Sequence, residues 1–280
     1  MFNTPVPFPR LMAGLLGLCL ALALSTRLQA SELANSVISN SALGVVIDQY
    51  PKMMTEGISQ GLSQTGQLNP IVKAGISGMM TQAFDSTRMR RQVAQDLDQG
   101  MSQQALARVN DWYQSPLGEK VAALEARAAM PAAWRVIEEQ GSALVSRYQG
   151  SERARLFSDF DRASRATESA VDTAVAIQVG FATAMAAFNG AVVDTEVVRQ
   201  RVESQRTMLR GMVEQQVYAG YLYTYEQLSN EELREYIRFM KTEAGDRFNR
   251  VATESVQQAI LEPIDAIAVG LARLLGPASR

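Results

Sequence analysis

The chain contains no histidine, and its single cysteine, Cys19, sits in an apolar run near the N-terminus. The first absence removes imidazole as a general base, as a partner to a nucleophile and as a metal ligand. The second leaves everything beyond that run without disulfides, thiolate nucleophiles or thiolate zinc sites. Lysine is scarce: Lys52, Lys73, Lys120 and Lys241 are the four, none with serine three residues before it, so a Ser-x-x-Lys dyad is also missing. Gly57-Ile58-Ser59-Gln60-Gly61 fits the G-x-S-x-G pattern, but that motif works with a histidine base and the match is coincidental. No catalytic residue, cofactor-binding residue or metal ligand is therefore assigned, and no cofactor is expected.

Strand patterning is absent as well. After Ser31 the apolar residues recur at helical spacing, among Ala, Leu, Met, Gln, Arg and Glu, with no sustained alternation of apolar and polar positions. The expected fold class is all-α. Turns and helix starts are expected at Pro51, around Pro70, and at Ser102, Ser115-Pro116, Pro131, Asp194, Ser229 and Pro263. Ser229-Asn230-Glu231-Glu232 reads as a capping box that opens a helix.

The N-terminus carries Arg10, then the uncharged run Leu11 to Leu24, then a polar stretch ending in the small residue Ala30. This is the layout of a secretory signal peptide, expected over residues 1–30 with cleavage after Ala30. The run is shorter than the ~20 apolar residues a transmembrane helix needs. Leu18, where lipoprotein processing wants a small side chain, argues against a lipid-bearing Cys19. Removing residues 1–30 takes two of the 27 basic side chains and none of the 29 acidic ones, leaving a net charge of about −4. A nucleic-acid binder would carry a net basic surface. The expected location is the periplasm.

Residues 101–120 align with 228–247 at a constant offset of 127. Ser102 pairs with Ser229, Leu106 with Leu233, Trp112 with Phe239, Ser115 with Thr242, Gly118 with Gly245, Glu119 with Asp246 and Lys120 with Arg247. The shared pattern is a cap, a short helix ending in an aromatic anchor, and a Ser or Thr capping a second helix with glycine in its first turn. In the first copy Pro116 takes the first helical position, where its missing N–H costs nothing. A helical bundle of two tandem copies of one multi-helix unit is expected, at 31–155 and 156–280, with both aromatic anchors buried.

The stretch Asp111 to Lys120, with Trp112-Tyr113, Ser115-Pro116 and Gly118-Glu119-Lys120, resembles the hallmark of the bacterial family catalogued as domain of unknown function 2059. The second copy departs from it, with Met240 for the tyrosine, Thr242 for the serine and Glu243 for the proline. The resemblance implies an exported helical protein and brings no catalytic residue with it.

Four features invite a functional reading beside a plain one. Thr173 to Val193 has no charged residue and reads either as a buried central helix or as a membrane span; its counterpart 127 residues earlier is charged, so we read it as buried and expect no stable span after signal cleavage. Tyr218, Tyr221 and Tyr225 share one helical face, either a strip for a ligand or partner or a face packed within the protein. Gly118 with Lys120, and Gly245 with Arg247, sit at helix starts that can hold an anion or be merely capped. Glu138, Glu139, Glu231, Glu232 and Glu235 are acids of a kind that usually face solvent. The expected function is non-catalytic binding of an envelope protein or small ligand. A carboxylate-dependent hydrolase or lyase of cell-wall glycan is the alternative, and it needs two facing acids.

Overall fold

Several helices begin where a Ser or Asp cap stands. The computed structural model describes residues 32–64, 84–188 and 194–275, and over these the chain is helical with no strand. In chain order the helices are α1 (32–40), α2 (Leu43–Gln64), α3 (Ser86–Gly100), α4 (Gln103–Tyr113), α5 (Pro116–Ala128), α6 (Pro131–Tyr148), α7 (Glu152–Ser164), α8 (Ala166–Phe188), α9 (Thr195–Glu203), α10 (Arg206–Thr224), α11 (Asn230–Met240) and α12 (Glu243–Leu275). Ser102, Ser115, Asp194 and Ser229 accept backbone N–H bonds at the starts of α4, α5, α9 and α11, and Glu232 completes the capping box by accepting from the Ser229 N–H at 2.7 Å.

Two of the expected breaks are not breaks. Pro51 lies inside α2 and Pro263 inside α12. Interior proline costs a helix ~3 kcal/mol. Ile47 and Tyr50 beside the first, and Ala259 and Ile260 beside the second, pack into buried faces and outweigh that cost. Pro70 and residues 1–30 lie outside the described residues.

Each aromatic-to-glycine corner is built the same way. Ser115 donates its hydroxyl to Trp112 O (2.6 Å) and accepts from Gly118 N (3.1 Å); Thr242 donates to Phe239 O (2.7 Å) and accepts from Gly245 N (3.1 Å). The corner is so tight that a Cβ on Gly118 would lie 2.0 Å from Trp112 O, and one on Gly245 2.1 Å from Phe239 O. Helices α4 and α11 have bounds 127 apart at both ends, as do the starts of α5 and α12. The two anchor rings are half-buried rather than fully buried, because they stack on one another between the cores instead of each filling one.

Core residues come from both sides of residue 155. One core joins α1 to α4 with the face of α12 that carries Phe248, Val251 and Ala259. The second joins Val121, Leu124 and Leu144 of α5 and α6 to α7, the end of α10, and α11. A third, smaller one holds Val171, Val175 and Val179 of α8 against Leu209 of α10. Thus the uncharged segment starting at Thr173 belongs to a helix that packs on α10 and α12, with Val171, Val175 and Val179 buried and Gln178 exposed; the side chains of 184–188 and all of 189–193 lie outside the described residues. Among the described residues no helix is long and apolar enough to cross a membrane.

Candidate functional site

Helix α5 carries Leu117, Val121 and Leu124 toward the protein interior, and Glu125 falls one turn beyond Val121 on that same stripe. Its carboxylate is consequently drawn inward. Two hydroxyls meet it there: Tyr225, just past the end of α10, and Tyr236 of α11 both donate to Glu125 Oε1 at 2.7 Å. Both tyrosines are buried, as is Tyr113 at the end of α4 nearby.

The carboxyl opens onto a cavity of about 390 Å³, within the range of small-molecule sites. Its walls are mainly apolar. They come from Ala42 and the start of α2 (Leu43, Val46), from Phe160 of α7, from α8, and from Phe248 to Ile260 of α12. Among the described residues lining it, Glu125 is the one ionisable acid, and no lysine or arginine is present. Glu125 is itself half-buried and lines the cavity.

Burial raises the Glu125 pKa, and the hydroxyl bonds from Tyr225 and Tyr236 oppose that rise. The hydroxyls of Tyr113, Tyr225 and Tyr236 are pushed well above their ordinary value, first by burial and then by the charge of Glu125, so they are neutral donors at any physiological pH. A carboxyl among donor hydroxyls and apolar walls can accept hydrogen bonds from, or pair with, a group placed in the cavity; among the described lining residues no second carboxylic acid, as glycoside hydrolysis uses, stands beside it.

The sequence-derived candidates fall differently. Tyr221 and Tyr225 are buried, and the face they share with Tyr218 is no open strip. Helix α7 covers it, with Phe157 4.8 Å from the Tyr218 ring and Phe160 5.0 Å and 5.2 Å from Tyr221 and Tyr225. The reason is plain in the composition of α7, whose Leu156, Phe157 and Phe160 form an apolar stripe that needs an aromatic partner. Only Tyr225 of the three reaches the cavity.

The cations at the two helix starts are engaged too. Lys120 Nζ pairs with Glu232 at 2.7 Å and 2.9 Å, and Arg247 Nε donates to Gly100 O at 2.6 Å, so both positions close contacts between helices. Trp112 and Phe239 form the stack, and Ser115, Pro116, Gly118, Thr242 and Gly245 build the corners.

Two residues escape the sequence reading. Glu125 was legible in principle as the one acid on the apolar stripe of α5. Arg153 was not: its buried guanidinium donates to Tyr225 O at 2.6 Å and to Leu228 O, satisfying carbonyls left over where α10 ends, while Tyr221 donates back to Arg153 O at 3.1 Å. Nothing local to position 153 announces carbonyls more than seventy residues away.

No curated protein and no solved structure matches the chain. A family model does match, across α3 to α6 and thus over Trp112, the Ser115 to Gly118 corner and Glu125. Residues 87–147 match the model of the family described as "Uncharacterized protein conserved in bacteria (DUF2059)".

Proposed function

We propose that the chain is an exported protein of the bacterial cell envelope that acts without catalysis, binding a small ligand in the cavity at Glu125. The observation that carries the reading is a mainly apolar cavity of ligand size with a half-buried carboxyl, held by two tyrosine hydroxyls. Export rests on the N-terminal layout of Arg10, the apolar run and Ala30. The two units, 31–155 and 156–280, are part of the same proposal. The offset of 127 and the matching corners support it, and their helices contribute to shared cores, so neither unit is expected to fold alone.

Two measurements test this. Intact mass of the protein from an envelope fraction should correspond to a chain beginning at Ser31, and a mass that retains Cys19 rules out the cleavage. Thr173 lines the cavity, so Thr173→Phe should fill it. Saturable uptake of the apolar fluorophore N-phenyl-1-naphthylamine by the parent, lost in Thr173→Phe, is the expected result. Equal uptake by both would remove the cavity from consideration.

A further inference from the structure

Among the described residues the cavity wall carries one formal charge, with aromatic rings beside it. Phe160, Tyr225 and Tyr236 all line the cavity, with ring centroids 5.2 Å apart for Phe160 and Tyr225, 5.8 Å for Tyr225 and Tyr236, and 6.5 Å for Phe160 and Tyr236. Oε1 of Glu125 is occupied by the two tyrosine hydroxyls, whereas Oε2 accepts no hydrogen bond from the described residues. No described cation forms an ion pair with this carboxylate. A half-buried carboxylate with no counter-charge among the described residues is costly, and a cation seated beside it relieves that cost.

A carboxylate set among aromatic rings joins the two elements that recognise an organic cation, a point charge and quadrupolar ring faces. We propose that the cavity binds an amphiphilic organic cation, its ammonium group against Glu125 and the rings of Phe160, Tyr225 and Tyr236, and its apolar body along α2 and α12. This rests on the reading of the cavity as a ligand site. An anionic amphiphile such as a fatty acid would meet Glu125 with like charge and find no lysine or arginine among the described lining residues.

The test is calorimetric titration of the purified protein with three probes of one chain length, each below its micellar concentration: decyltrimethylammonium, decanol and decanoate. The cation should bind about tenfold or more tighter than the alcohol, and decanoate weakest of the three. Glu125→Gln should bring the cation down to the level of the alcohol. The ranking on the unaltered protein decides the matter even if that variant fails to fold, and loss of binding in Thr173→Phe locates the probe. Equal affinities, or decanoate binding tightest, would overturn the cation and leave the cavity a ligand site. Saturable binding of none of the three would overturn both.

Discussion

The rings of Trp112 and Phe239 stack with centroids 4.0 Å apart and planes 7° from parallel. The two residues occupy the same place in two like corners, 127 positions apart, and both rings touch both of the larger cores. The stack therefore ties the end of α4 to the end of α11 at the point where the cores meet. Replacing either ring with Ala is expected to cost about 2–3 kcal/mol, below the ~3–5 of a fully buried aromatic because each ring is only partly buried. The double variant should lose about 1 kcal/mol less than the sum of the singles. Urea denaturation of the four proteins measures this, and strict additivity would mean that the stack contributes nothing of its own.

Gly118 and Gly245 have no room for a Cβ, since the nearest atoms are backbone carbonyl oxygens that cannot move without breaking the corner. Alanine at either position is expected to destabilise by about 3 kcal/mol or more. Gly211 is the control: it lies on the exposed side of α10 and a Cβ there meets nothing within 4 Å. Gly211→Ala should stabilise by up to about 1 kcal/mol. Opposite signs in thermal melts are the expected outcome, and a neutral Gly118→Ala would contradict the corner geometry.

Arg153 is 7% exposed and holds the carbonyls of Tyr225 and Leu228. Arg153→Met keeps much of the apolar stem and leaves both oxygens without these donors, at about 1–3 kcal/mol for each buried unsatisfied group. Because Tyr225 also holds Glu125, the same variant should weaken uptake of the apolar fluorophore under conditions where the protein remains folded. Unchanged stability would show that water reaches those carbonyls.

How far the sequence anticipates this arrangement depends on the range of each interaction. Caps such as Ser102 and Ser229 act within four residues, so helix starts were readable one by one. Glycine next to a Ser or Thr cap likewise announced a tight corner. Pairing across the chain was not readable. Tyr218, Tyr221 and Tyr225 showed their common face but not that Phe157 and Phe160 of α7 would cover it, and Pro51 and Pro263 looked like breaks because the packing that tolerates them is tertiary. The cavity is the extreme case, since Glu125, Tyr225 and Tyr236 are brought together across about a hundred residues.

Glu125 gives the last prediction, a pH dependence whose sign follows from its surroundings. Burial raises its pKa in the folded protein, with the two tyrosine hydroxyls opposing the rise. The folded state thus holds this proton more tightly than the unfolded chain does. Stability that depends on the neutral acid is complete below the unfolded value, about 4.3, and is lost as pH rises through the higher folded value. Within that window each pH unit removes about 1.4 kcal/mol, and above it the loss is constant. Glu125→Gln preserves an oxygen for Tyr225 and Tyr236 to donate to but has no charge to bury, so it should be more stable than the parent near pH 7 and lose the advantage toward pH 4. The carboxylates of Asp85 and Glu232, held low by hydrogen bonds, add slopes of opposite sign, but they are common to both proteins and cancel in the difference. Urea denaturation of parent and variant at half-unit steps from pH 4 to 8 gives that difference directly. A difference that does not vary with pH would mean that Glu125 ionises as it does in the unfolded chain, and that water fills the cavity well enough to solvate its charge.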